Sequence, residues 1–355
     1  MTPHTCSRSG RRRQSTGRNT CLVAKVRGHA IIDSVPPTTD SRPAGPAGRC
    51  LTNGCALVPD SFSALVSGRE PESHISGDLW LTRLPGLVEE SLAQWDLTLD
   101  GDSMHGVCAL VLPVRRRNGS TAVLKVTWPH AEAEHEHLAL QRWGGRGAVR
   151  LLAANPARWT MLLERLSWRR DLHDVPIDEA CTVIGTLLHQ LNSEVLPQLS
   201  RLSAHAAEMA EKLRSAPPAI PRRFVEQARS LLSELVTDGA IDSRMVNTDL
   251  HSRKILSAER QPWLAIAPKP LAADPAFAVA PALWDRWAEA IASGDLRAHL
   301  RRRLSIICAG AGLDEERARA WSIVREVQNS LSAIEDDNAD GLTKAITIIK
   351  AMQTG

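Results

Sequence analysis

The sequence predicts an α+β protein of two lobes, a small β-rich lobe followed by a larger helical one. Three observations carry this. An apolar run, Val107 to Val114, is joined by a polar turn to a second β-branched run, Thr121 to Thr127. A third apolar segment, Trp159 to Leu163, closes the strand-rich part at Glu164. From Asp174 onward apolar residues recur at helical spacing.

The elements follow in chain order. Before Asp33 there are seven Lys or Arg and no acid, with Arg11, Arg12 and Arg13 in a run. A Pro/Gly/Ser/Thr stretch then runs from Ser34 to Gly54. Such a segment buries too little apolar surface to offset its ordering, so residues 1–57 read as a disordered basic tail. A transit peptide and a nucleic-acid-binding arm share this composition, but no clear amphipathic helix supports either. The first lobe is expected over 58–166. Its hairpin turns at Asn118-Gly119, a strong turn signal. Pro129 leads into a helix that stops at Gly144-Gly145. Positions 133, 136, 140 and 143 share one face of it, and three are Ala133, Leu140 and Trp143. The fourth is Glu136, a carboxylate that needs a partner on an apolar stripe.

The helical lobe is expected over 167–355. Asp174 is placed to cap, Pro176 suits a first turn, and Ile184, Leu187, Leu188 and Leu191 form a stripe. Further helices are expected near 201–214, 222–236, 281–293, 313–333 and 340–352. Short extended pieces interrupt them at Met245-Val246 and Trp263 to Ala267.

Composition bounds the function. A net charge of +3 makes no case for a nucleic-acid partner across the whole chain. No stretch reaches the roughly 18 to 20 apolar residues of a membrane helix, and no secretory signal is evident, so a cytoplasmic protein is expected. The seven Cys (Cys6, Cys21, Cys50, Cys55, Cys108, Cys181 and Cys308) are scattered, without zinc spacing, and read as reduced thiols. With no Tyr and three Phe, ten Trp and the aliphatic residues carry the core.

Three signals then suggest chemistry. Lys125 sits inside an apolar strand, where Lys seldom lies without a partner. Glu136 faces inward from the next helix. The two could form the strand-Lys to helix-Glu pair with which kinases hold nucleotide phosphates; a solvent-facing Lys and a solvated helix face are the other reading. Third, Asp249 follows a short strand and lies near His251, where a carboxylate could orient an acceptor hydroxyl and take its proton. A surface turn is the alternative. Three charged groups remain. Glu335, Asp336, Asp337 and Asp340 could face a polycation or form a solvated loop, and Asp285 with Glu289 could do the same or form a solvated helix face. Arg301 to Arg303 reads as a surface run.

The segment Val246-Asn247-Thr248-Asp249-Leu250-His251, with Trp263-Leu264-Ala265-Ile266-Ala267-Pro268-Lys269 and Asp274-Pro275-Ala276-Phe277-Ala278-Val279-Ala280-Pro281, resembles the aminoglycoside/hydroxyurea antibiotic resistance kinases, the streptomycin 6-phosphotransferase-like group. The likeness extends through Ala122 to Val126, Gly147 to Leu152, Leu162 to Leu166 and Trp321 to Asp336, covering roughly residues 58 to 352. It implies a two-lobed protein-kinase-like (aminoglycoside phosphotransferase) fold. It also implies ATP as phosphate donor with magnesium, and an aminoglycoside as the small-molecule partner. Lys125 would contact the phosphates and Glu136 would hold it. Gly101 and Gly106 would lie in the loop over the phosphates, and Glu164, Arg165 and Leu166 would form the hinge beside adenine, mostly through backbone. Asp249 would be the catalytic base. Lys269 and His251 carry no assigned role.

The chain departs from that pattern at the chemistry. Lys254 stands where the family has a metal-binding Asn, and Ala267 where it has a metal-binding Asp. Ala278 replaces another Asp, and Asn247-Thr248 replaces His-Gly. The magnesium site is therefore expected to be degraded, with no confident metal ligand and Asp274 as a possible substitute. Three functions follow in order. The first is phosphorylation of an aminoglycoside hydroxyl such as one of streptomycin. The second is a pseudokinase that binds nucleotide or aminoglycoside without efficient turnover. The third is nucleic-acid binding through the basic arm. Oligomeric state stays open.

Overall fold

The computed structural model describes residues 57–353. The expected basic tail, apart from Leu57, and with it Cys6, Cys21, Cys50 and Cys55, lies outside the described residues.

Two helices precede the first sheet, α1 (Asp60–Val66) and α2 (Gly77–Gln94). The strands are β1 (Leu97–Leu99), β2 (Met104–His105), β3 (Ala109–Arg116) and β4 (Thr121–Thr127), then, after α3 (Glu136–Trp143), β5 (Leu151–Asn155) and β6 (Thr160–Glu164). They form one six-stranded antiparallel sheet, ordered β1-β3-β4-β6-β5 with β2 also on β3. Strand alternation gives the sheet two faces. Ala122, Leu124 and Val126 of β4 pack with Leu110, Leu112 and Val114 of β3 against Phe62, Trp80, Leu84 and Val88 of α1 and α2. Lys125, between them in sequence, points to the opposite face.

Pro113 stands inside central strand β3 and has no N–H to give its neighbour. The Asp100 amide still donates to the Pro113 carbonyl at 2.9 Å. On the same side the Arg165 guanidinium donates to the Asp100 carbonyl at 3.4 Å and its carboxylate at 2.7 Å. A side chain thus serves a carbonyl at the strand break that β3 cannot fill.

The second part begins with β7 (Ser167–Asp171) and holds α4 (Ile177–Leu191), α5 (Leu202–Arg214) and α6 (Arg222–Thr237). Strands β8 (Arg244–Asn247), β9 (Ile255–Ser257), β10 (Trp263–Ala265) and β11 (Pro270–Ala273) follow. Then come α7 (Pro281–Trp284), α8 (Trp287–Ala292), α9 (Leu296–Ala311), α10 (Glu315–Glu335) and α11 (Ala339–Met352). Strands β9 and β10 pair antiparallel, as do β8 and β11. Helix α9 crosses α4 closely: a methyl on Gly185 would lie 2.6 Å from the Ile307 carbonyl oxygen. Among the described residues, no helix is long and apolar enough to cross a membrane.

The structure alters several expectations. Asp174 ends a short 3-10 turn, and Pro176 occupies the cap position of α4 without a side-chain cap. The helix expected over 281–293 is two short ones, broken at Arg286, whose φ is 49°. The Arg301–Arg303 run is not a surface feature throughout. Arg303 is buried on α9 and donates to the carbonyls of Asp285 (2.6 Å) and Arg286 (3.2 Å).

Glu326, inside α10, is fully buried, and burial pushes its carboxyl up to about 8 despite a bond from Asn329 and nearby Arg325 and Lys344. The folded protein therefore keeps a proton that the unfolded chain releases above its ordinary 4.5. Stability from this group is present at low pH and is lost as pH rises towards 8. Glu326→Gln should flatten the decline in urea-unfolding free energy between pH 5 and 8; an unchanged slope would contradict it.

Candidate active site

Lys125 on β4 and Glu136 at the start of α3 meet on the sheet face opposite α2. The Lys125 ammonium lies 2.6 Å from both carboxylate oxygens of Glu136, and both side chains are buried. The pair forms because Glu136 shares a helix face with Leu140 and Trp143, which are buried against the second core. Each charge satisfies the other where water is excluded. Solvent exposure of either residue is thereby ruled out.

The two glycines of the small lobe do not share one loop. Gly106 lies in the turn joining β2 to β3, with its amide on the Ala109 carbonyl at 2.9 Å. Gly101, at φ 144°, lies in the break between β1 and β2, where an added methyl would sit 3.8 Å from the Arg165 guanidinium. At the end of β6, Glu164 accepts from the Arg150 amide at 2.7 Å and is forked by Arg260. Burial would raise the Glu164 carboxyl, but the Arg260 and Arg150 contacts outweigh it and hold it below the ordinary range. Arg260 also donates to the Ala148 carbonyl at 2.8 Å. The side chains of Glu164 and Arg165 are thus spent on the scaffold, leaving the backbone of 164–166 as the part that could face a ligand.

Asp249 lies in the loop after β8, and the loop is braced from three sides. Buried Asn247 accepts, through one side-chain oxygen, from the Asp249 and Lys269 amides at 3.1 Å each. Arg325 donates to the Thr248 carbonyl at 3.2 Å while its guanidinium stacks 4.5 Å from Phe277 and 5.2 Å from Trp284. Asp285 accepts from the Ser252 amide at 2.7 Å. Asp285 is therefore a buried brace and not part of a solvated helix face. Glu335, Asp336, Asp337 and Asp340 are exposed.

Lys269 and Lys254 flank this carboxylate. The Lys269 ammonium is 3.4 Å from Asp249 and 2.7 Å from Glu132. Burial would lower it, yet Asp249 and Glu132 together hold it above its ordinary value. Lys254 is half-buried and lies within electrostatic reach of Asp249, Lys125, Lys269 and Glu136. Burial lowers its ammonium, with Asp249 opposing. Burial also lowers His251, against the opposing charges of Asp249 and Asp285. Lys269 had no role in the motif reading, and Asn247 stood there only as a departure from the family pattern. Their signal was the position of Lys269 two residues after Ala267 and just before β11, the strand that pairs with β8.

Strands β9 and β10 bring positions 254 and 267 together: the Ile266 amide donates to the Lys254 carbonyl at 2.8 Å. Ala267 has φ 44°, a left-handed conformation that Asp and Asn tolerate better than Ala. Asp274 is committed elsewhere. It is buried and accepts from the Ala276 amide (3.0 Å), the Trp321 indole (2.7 Å) and Arg317. Three of its acceptor positions are thus spent on the scaffold, which counts against it as a substitute metal ligand.

A small antiparallel sheet carrying a buried Lys–Glu pair, above a helical part presenting an Asp loop, defines a protein-kinase-like fold. Residues 94–338 match the sequence profile of the aminoglycoside/hydroxyurea antibiotic resistance kinases, and the chain belongs to that family. It is 42% identical over 308 residues to a streptomycin 6-kinase of Streptomyces glaucescens, covering 85% of this chain and 99% of the relative. It is 39% identical over 300 residues to a hydroxyurea phosphotransferase of Kitasatospora aureofaciens, covering 81% and 84%. A thermostable variant of aminoglycoside phosphotransferase APH(4)-Ia, solved in ternary complex with ADP and hygromycin B, shares the fold. Its TM-score is 0.51 at 14% identity, over 74% of this chain and 96% of that one.

Proposed function

We propose that this chain is an ATP-dependent phosphotransferase acting on a hydroxyl of an aminoglycoside such as streptomycin, with its transfer step slowed by the residues at positions 254 and 267. The observation that carries the reading is the buried Lys125–Glu136 pair set on the sheet face that looks towards α3 and the second core. In this reading Lys125 holds the α- and β-phosphates and is kept in place by Glu136. The backbone of 164–166 receives the adenine. Asp249, oriented by the Asn247 and Lys269 contacts, accepts the proton of the acceptor hydroxyl as it attacks the γ-phosphorus.

The residues present do not fit magnesium. The cation needs several oxygen ligands in near-octahedral array. Ala267 offers no side-chain oxygen and Lys254 brings an ammonium. Removing one preorganised electrostatic group costs about a hundred- to a thousandfold in rate, so slow turnover is the expected state. A catalytically impaired chain that binds nucleotide or aminoglycoside without turnover is the second reading, favoured by the same two residues.

Mass spectrometry of streptomycin after incubation with the full chain, ATP and magnesium decides between them. A phosphorylated product that is lost in the Asp249→Ala variant is the expected result. No product from folded protein over long incubation would favour the second reading.

A further inference from the structure

The cleft holds three lysines, Lys125, Lys254 and Lys269, among the carboxylates of Glu132, Glu136 and Asp249. Lys125 is paired with Glu136, and Lys269 with Glu132 and Asp249. Lys254 is different: no carboxylate closes an ion pair on it among the described residues, although Asp249 and Glu136 lie within electrostatic reach. Its position is fixed by backbone. The Lys254 amide donates to the His251 carbonyl at 2.9 Å, and its own carbonyl accepts from the Ile266 amide at 2.8 Å. That half-buried lysine, within electrostatic reach of Lys125, Glu136 and Asp249 and closed by no carboxylate among the described residues, lacks a full counter-charge. An anion entering the cleft would supply it.

Relative to the pattern that the sequence resembles, Lys for Asn at 254 and Ala for Asp at 267 each add one positive charge. Their sum is the charge of one divalent cation. Resting on the nucleotide-binding reading above, we infer that this cleft binds a nucleoside di- or triphosphate without a divalent cation, the Lys254 ammonium neutralising the phosphates beside Lys125. A metal-bound nucleotide would bring a second cation against Lys254 and gains nothing from position 267. The incoming phosphates also favour the charged form of Lys254, opposing the effect of its burial.

The test is isothermal titration of ADP and of a non-hydrolysable ATP analogue into the full chain, in magnesium and in EDTA. Binding in EDTA as tight as in magnesium, or tighter, is expected. Lys254→Met should weaken EDTA binding by on the order of ten- to a hundredfold, and Lys254→Arg should retain it. Urea unfolding checks that each variant folds. If the Met variant does not, the wild-type comparison and the Arg variant still decide. Wild-type binding that needs magnesium would overturn the inference and leave the kinase reading standing. So would a folded Met variant that binds in EDTA as wild type does. No nucleotide binding in either condition would overturn both.

Discussion

Lys254→Asn combined with Ala267→Asp is expected to raise the rate of magnesium- and ATP-dependent streptomycin phosphorylation by about a hundred- to a thousandfold. The two positions lie together at the open end of the β9–β10 hairpin, tied by the Ile266 to Lys254 hydrogen bond. The double change removes an ammonium and adds a carboxylate, creating oxygen donors for a hard cation beside Asp249. The backbone at 267 is already suited to it, because φ 44° is a conformation that Asp adopts at lower cost than Ala. Steady-state kcat measured against magnesium concentration checks this. The variant should show saturable magnesium activation. An unchanged kcat with intact folding would mean that positions 254 and 267 do not limit transfer. Each single change should recover less, since Lys254 left in place still repels the cation and Ala267 left in place still supplies no oxygen.

Asp274→Ala should destabilise the fold by about 3 to 5 kcal/mol, the usual cost of removing one partner from a buried charged network. The Asp274 carboxylate makes three contacts that join two elements: the turn at Ala276, and Arg317 and Trp321 on α10. Its loss leaves the buried Trp321 indole N–H without its acceptor and strips one carboxylate from half-buried Arg317, which keeps Asp238 at 2.8 Å. Trp321 in turn packs edge-on against Phe277 at 5.3 Å, and Phe277 carries the Arg325 that reaches the Thr248 carbonyl. Loss of Asp274 therefore loosens the support of the Asp249 loop as well. Urea unfolding measures the effect. A loss below about 1 kcal/mol would show that Asp274 is not a structural anchor.

What the sequence revealed follows from the range of the interactions involved. The β3–β4 hairpin was legible because Asn118-Gly119 and the flanking β-branched residues are local signals. The Lys125–Glu136 contact was legible because strand and helix periodicity each fix a face. Helix α2 was not, since Pro85-Gly86 reads as a break, although the helix continues through it. Helix α9 was not, because Arg301 to Arg303 hides the stripe of Leu300, Leu304, Ile307 and Cys308. The buried placement of Arg303 depends on carbonyls at 285 and 286, which no local pattern displays. The buried contacts of Asp285 and Asp274 were hidden for the same reason. Their partners lie 33 residues away at Ser252 and 47 residues away at Trp321. The separation of Gly101 from Gly106 follows from β2, a two-residue strand too short to register as a pattern.

The most direct measurement of the central claim compares the wild-type chain with Asp249→Ala for mass-resolved conversion of streptomycin to a phosphorylated product, with ATP present. A slow, ATP-dependent product in the wild type that is abolished by the substitution is the predicted result. Equal product from both, or none from a folded wild type and none from the Lys254→Asn/Ala267→Asp variant, would contradict it.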